Sequence, residues 1–440
     1  MATGALRGRL GKWSTWGVLA ICTVWPAGLA AARESENGAD AALISARQKF
    51  FGAENVDAVT GAVKKDKVIF SWGTCTTVPT SVLGRVVLLD SFVMNPEPTP
   101  GRTPFVVQDL IDLHPEAIFI GHGHFDHADN AAYIAKKLDI PIYAADETCN
   151  IMQQDAAYYF GAGSTVKCVP VVSAGSTPGS EIFRIKQLEP LACIVGFKHL
   201  HSVSVPHDPT VPLVTIHNIP DPRDTQLYPP GTANCLTGGC KGGLSYPTAP
   251  YLGNLAFLGG AGGPIAILYQ FVLRGGHNFT FTWHNTSGAL KEGCALDKCY
   301  GPAVGEHLQQ IMDSLPRTDV ELGSVVSPGY TTNGERDIVT YNRHLRTKVF
   351  IPIHLDVLAL PSSSPEWRIG WIQENDAMAI PASQRPEARW MVDPIDYTKP
   401  WVYSPKDVRW FDPGKRSAVQ QFCGGNPDED ESGDEGRQKD

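Results

Sequence analysis

Apolar and polar positions alternate along this chain in a way that outlines an α/β protein. Short runs with strand character lie at Val68–Trp72, Thr76–Val78 and Val86–Leu89, the last stopped by Asp90. Val106–Leu113 has helical spacing and ends at His114-Pro115. The run Ala117–Ile120 is wholly apolar, which predicts a buried strand, and Asn130 caps a helix through Ala131, Ala132, Ile134, Ala135 and Leu138. Pro141–Ala145 predicts another short strand, and Glu181–Gln187 with Leu191–His199 a hairpin. Pro264–Leu273 and Asn278–Trp283 pair around Arg274-Gly-Gly276. Helices Val304–Leu315 and Gly334–Leu345 then alternate with strands Glu321–Val326 and Lys348–Ile353.

Between the buried strand and the capped helix the chain reads His122-Gly-His124-Phe-Asp126-His127. Imidazole nitrogen and carboxylate oxygen are ligands that Zn²⁺ accepts at about 2.0–2.2 Å. His122 and His124 alternate, so an extended segment sends both rings to one side. Asp126 and His127 lie beyond a turn, placed for a second metal or for a water between two metals. Gly121 and Gly123 allow a tight backbone path between the rings.

This cluster resembles the signature of the metallo-β-lactamase-fold hydrolases, and the resemblance covers about residues 45–360. It implies a four-layer αββα sandwich. It also implies further ligands at strand ends: His201, with His199 as the alternative, for the first metal, and His354 for the second. The family's bridging Asp aligns with Asn285, a neutral departure that predicts a weakly held second metal. His124 stands where oxygen-handling di-iron relatives usually carry Glu, which points to zinc, one or two per chain, and to hydrolysis. On this resemblance His122, His124 and His201 hold one zinc, and Asp126, His127 and His354 the other. Asp126 is the catalytic candidate, orienting a metal-bound hydroxide and taking up its proton.

Composition narrows the setting. A net charge of −9 over 440 residues makes nucleic acid an unexpected partner and leaves a small-molecule substrate. Residues 1–32 carry Arg7, Arg9 and Lys12, then the apolar stretch Trp16–Leu29 and Ala30-Ala31-Ala32, the outline of a secretory signal peptide. No later stretch is long and apolar enough to span a bilayer, so the expected location is extracytoplasmic. Of ten cysteines, nine follow that leader, an odd number that leaves at least one thiol outside disulfides within the chain. Cys149 with Cys168, Cys235 with Cys240, and Cys294 with Cys299 are the plausible pairs. The Gly/Pro-rich stretch 203–263 is expected at the pocket rim. Residues 361–425, rich in Trp, Pro and Tyr, are expected as a C-terminal wrap or stabilising extension, and 426–440 as a disordered acidic tail.

Three functions fit. The first is a zinc hydrolase of an ester, lactone or amide, with a lactone the specific expectation. The second is a phosphodiesterase or phospholipase. The third is a non-catalytic metal-binding protein with a degraded second site.

Overall fold

Two stacked sheets form as the alternation predicts, because each inner strand turns one set of side chains to its partner sheet and the other to helices. The computed structural model describes residues 40–93, 106–204, 206–211, 214–217, 219, 262–325, 329–355 and 363–424. The leader, the acidic tail and most of the 203–263 stretch, including Cys235 and Cys240, lie outside them.

The first sheet takes β1 (Val68–Phe70), β2 (Val78–Val82), β3 (Arg85–Leu89), β4 (Ile118–Phe119), β5 (Ile142–Ala145) and β6 (Cys168–Val172). The second takes β7 (Ile182–Ile185), β8 (Ala192–Lys198), β9 (Ile267–Leu273), β10 (Thr280–His284), β11 (Val320–Ser324), β12 (Val349–Ile353) and β13 (Glu387–Ala388). The chain then returns to the first sheet, where β14 (Trp401–Tyr403) pairs antiparallel with β1. The strand orders are β14-β1-β2-β3-β4-β5-β6 and β13-β12-β11-β10-β9-β8-β7. Both sheets are mixed: β3 to β6 run parallel, as do β10 to β13, while the hairpins are antiparallel.

Phe70 and Phe119 face the second sheet, where Phe70 meets Phe281 edge-on at 5.0 Å and Phe119 meets Phe271 at 5.2 Å. Ile69, Leu88, Ile118 and Ile142 face the other way. They pack under α1 (Ala41–Phe51), α2 (Val107–Asp112), α4 (Ala131–Leu138) and α5 (Asp146–Phe160), which follows the single turn α3 (Phe125–Ala128) and α4. The second sheet is covered by α6 (Pro302–Ser314), α8 (Arg336–His344) and α9 (Ser364–Ala377), with the short α7 (Tyr330–Asn333) before α8. This is the expected αββα sandwich.

Some boundaries differ from expectation for local reasons. The second strand starts at Val78, because residues 73–77 form a turn in which Gly73 N–H bonds Thr77 carbonyl at 2.8 Å. The segment after residue 360 is built into the sandwich. It supplies one strand to each sheet, and α9 seats Trp367 on Tyr330 at 4.4 Å. The helix α10 (Lys415–Cys423) is tied to β8 by a Cys193–Cys423 disulfide that the sequence did not suggest. Cys149–Cys168 and Cys294–Cys299 pair as expected.

Candidate metal centre

The loop after β4 is held against the second sheet at van der Waals limit, and that closeness explains its glycines. Ile267 N–H bonds the Gly121 carbonyl at 2.7 Å, and Gly123 N–H bonds the Gly263 carbonyl at 3.0 Å. A Cβ on Gly121 would stand 2.3 Å from the Asn285 amide, and one on Gly123 would stand 1.9 Å from the Gly262 carbonyl oxygen. Neither glycine has the left-handed backbone that a tight turn demands. They are needed so that two sheets can bring their strand ends into contact.

Three imidazoles converge there. His122 Nε2 lies 3.0 Å from His124 Nδ1 and 3.2 Å from His201 Nε2, all three buried. The hydrogen bonds behind them decide which nitrogens carry protons. The Asp90 carboxylate only accepts, so the Asn285 amide nitrogen, 2.9 Å away, donates to it. The Asn285 oxygen then faces His122 Nδ1 at 2.8 Å, which must therefore be the N–H. His201 Nδ1 lies 2.8 Å from the Ser202 carbonyl and donates to it for the same reason. Both Nε2 atoms are left with lone pairs pointed at each other, and lone pairs repel unless a cation lies between them. Nitrogens sharing one tetrahedral zinc at about 2.0–2.1 Å stand about 3.3 Å apart, close to the spacing seen.

A second cluster adjoins the first. Asp126 Oδ1 lies 3.5 Å from His127 Nε2, and Asp126 Oδ2 lies 3.4 Å from His354 Nε2. The Cys75 thiol stands 3.8 Å from Asp126 Oδ2, completing a buried group of four. The His122 and His127 rings are 4.1 Å apart, so the clusters share a wall. His127 Nδ1 is turned outward to Asp90, 2.9 Å away, which also accepts from Thr76 and from Gly121 N–H at 3.1 Å. His354 has a left-handed φ of 65° and its N–H bonds the Cys75 carbonyl at 2.9 Å.

Burial and the neighbouring imidazoles hold His122 and His201 well below the usual histidine range. Burial pushes His124 down to about 4. These rings are neutral at physiological pH, the form that binds metal. Burial alone would raise the Asp126 carboxyl, but His127, His354 and His124 outweigh it and hold Asp126 well below the carboxylate range. Burial likewise pushes His127 down, and Asp126 and Asp90 together reverse it, so His127 is raised. The donor set of imidazole, carboxylate and thiol fits zinc.

The model of the metallo-beta-lactamase superfamily matches residues 79–218, a stretch that contains His122, His124, Asp126, His127 and His201. Over that stretch the chain is similar to the metallo-β-lactamase superfamily. A protein of Myxococcus xanthus described as a metal-dependent hydrolase is 30% identical over 93 residues. That match spans 21% of this chain and 31% of the relative, under a third of its length. Among solved structures, the metallo hydrolase Igni18 of Ignicoccus hospitalis has a TM-score of 0.42 at 11% identity, covering 77% of this chain and 98% of that one. The metallo-beta-lactamase fold protein YhfI of Bacillus subtilis has a TM-score of 0.36 at 10% identity, covering 77% and 99%.

Six of the seven expected ligands gather: His122, His124 and His201 in one cluster, Asp126, His127 and, from beyond the matched stretch, His354 in the other. His199, the alternative to His201, lies outside it, with Nδ1 2.9 Å from the Tyr341 hydroxyl. His284 also points away, pairing with Glu321 at 2.9 Å. Asn285 is the correction. Its oxygen is committed to His122 and its nitrogen to Asp90, so it orients a ligand instead of standing between two metals. The close pass of Gly121 draws it in. Asp90, Ser202 and Cys75 carry roles that sequence reasoning missed.

Proposed function

We propose that this chain is an exported, zinc-dependent hydrolase of an ester, lactone or amide, with a lactone the first substrate class to test. The observation that carries the reading is the convergence of three buried imidazoles, two of them with lone pairs aimed at each other, beside the Asp126–His127–His354 group. Support for hydrolysis comes from the relative described as a metal-dependent hydrolase. Support for export comes from the disulfides, which persist in oxidising compartments. Among the described residues no helix is long and apolar enough to cross a membrane.

His122, His124 and His201 would hold one zinc, and Asp126, His127 and His354 a second. The chemistry zinc supplies when bound is a lowered pKa for coordinated water and polarisation of the oxygen under attack. The chain's own part is preorganisation. Asn285 and Ser202 keep the protons of His122 and His201 on the far nitrogens, so both rings present lone pairs. Asp90 does the same for His127. Asp126, 3.5 Å from His127 Nε2 and 3.4 Å from His354 Nε2, we assign to binding and orientation in that cluster. The non-catalytic alternative rests on Asn285, which is turned to His122 and Asp90 and adds no charge to the second cluster.

The test is a panel of lactone, ester, β-lactam and phosphodiester substrates, with purified mature protein, with and without added zinc. Zinc-dependent turnover of a lactone or ester supports the reading. Turnover of phosphodiesters alone would replace it with the phosphodiesterase, and no turnover with full metal loading would leave a metal-binding protein. N-terminal sequencing of secreted material that began at Met1 would remove the export signal.

A further inference from the structure

The second cluster, as the family resemblance describes it, lacks negative charge. Asn285 is neutral and is turned away, so Asp126 would be the one anionic group facing a divalent ion. The structure supplies another from an unexpected place. Cys75 sits in the turn between β1 and β2, fully buried, with its sulfur 3.8 Å from Asp126 Oδ2. Its sulfur, the Asp126 carboxylate, His127 Nε2 and His354 Nε2 form one group.

We propose that Cys75 is a thiolate ligand of the second metal, replacing the charge that Asn285 does not provide. This rests on the reading of the centre as a metal site. As the sulfur–metal bond forms, the S–H bond breaks and the proton passes to solvent, so the site gains one unit of negative charge. A zinc–sulfur bond of about 2.3 Å beside a zinc–oxygen bond of about 2.1 Å puts sulfur and oxygen about 3.6 Å apart, near the distance seen.

Burial alone does not argue for a ligand, because cysteine is commonly buried as a small apolar residue. The backbone does. Cys75 has a φ of 54°, a left-handed conformation that a residue with a Cβ adopts at some cost. The turn that imposes it is pinned on both sides of the centre. The Cys75 carbonyl accepts the His354 N–H, and the Thr76 hydroxyl bonds Asp90 and lies against His127. One turn thus holds the thiol and two of its three partner residues in register. Sulfur also makes this site softer than the three-histidine cluster, which favours zinc or cadmium over manganese or magnesium.

Cobalt substitution tests this on the whole mature protein. Cobalt(II) bound by thiolate shows a near-ultraviolet sulfur-to-metal charge-transfer band that nitrogen and oxygen ligands do not give. We expect that band in the parent protein at two cobalt per chain, and its loss in Cys75→Ser with the visible bands of the three-histidine cobalt retained. Two bound cobalt ions without the band overturn the role of Cys75 and leave the metal reading intact. A band that persists in Cys75→Ser also overturns it, assigning the signal to other thiols. No cobalt binding at all sinks both readings. If Cys75→Ser fails to fold, the cadmium-113 resonance of the parent decides, since sulfur ligation moves it far downfield of an all-nitrogen-and-oxygen site.

Discussion

The two halves of the metal centre share the loop of His122 to His127 but are braced differently. The His122–His124–His201 cluster contains neutral rings, and the outward nitrogens of His122 and His201 meet neutral acceptors, the Asn285 amide and the Ser202 carbonyl. The Asp126–His127–His354 cluster is charged, and the outward nitrogen of His127 meets a carboxylate, Asp90. Asp90 touches the second cluster directly and the first only through Asn285. One buried carboxylate therefore governs both, at one remove in one case and at none in the other. Ligand identity is a local matter, while ligand orientation is set by residues from other strands.

Removing a ligand is the strongest way to break the comparison. A four-ligand zinc site is worth about 10–16 kcal/mol of apparent binding, so one imidazole carries about 3 kcal/mol, or on the order of 10²-fold in affinity. His124→Ala should lose metal from the first cluster by that factor while the second keeps its own, read by mass spectrometry of the native protein and by zinc titration. Undiminished metal content would mean the three-histidine cluster is not a site.

Next in size is Asp90→Asn. Outward partners of metal-binding histidines typically contribute 10–100-fold to affinity. This variant should weaken both clusters, the second more, because His127 loses its charged partner outright. Equal loss at both would show that Asn285 transmits all of the Asp90 effect.

Asn285→Ala sharpens the same point. It should weaken the first cluster by about 10-fold and spare the second. Asn285→Asp should be worse, because a carboxylate there stands 2.9 Å from Asp90 instead of donating to it. A gain of zinc stoichiometry in Asn285→Asp would restore the bridging role that the hydrogen bonds take away.

The smallest effect at the metal concerns Asp155, a buried carboxyl of the helix Asp146–Phe160 with no such bracing. Its Oδ1 has no hydrogen-bond partner among the described residues, and burial, with Asp129 nearby, pushes it up to about 8. The folded chain thus keeps a proton that the unfolded chain releases near pH 4. Between about pH 4 and pH 8 the native state binds more protons, so stability falls as pH rises, by up to about 1.4 kcal/mol per unit. Asp155→Asn should remove that slope and gain stability over the parent at pH 8 relative to pH 5 in denaturant titrations. An identical difference at both pH values would mean Asp155 ionises as an ordinary surface acid does. Metal content should not change.

Several elements escaped the sequence for definable reasons. The helix Asp146–Phe160 buries Thr148, Cys149, Met152, Asp155 and Ala156. Those positions have helical spacing, but two are polar and one is a disulfide cysteine, which disguises the apolar face. The helix Ser364–Ala377 buries Glu366, Glu374 and Asn375 beside its tryptophans, with the same effect. Strands Glu387–Ala388 and Trp401–Tyr403 are too short to show a period of two.

What the sequence determined by itself was the ligand chemistry of the loop and the layer it hangs from. His122, His124, Asp126 and His127 lie within six residues, so the chain tethers them together whatever else folds, and an apolar strand before them fixes their place at a sheet edge. The resemblance then placed His201 and His354 at later strand ends. Tertiary structure alone decided the roles of Asn285, Asp90 and Cys75. Their meaning depends on hydrogen bonds and contacts across 37 to 195 residues of chain, which no local pattern encodes. The same amide that looks like a damaged ligand in the sequence becomes, once Gly121 lets the sheets close, the group that aims His122.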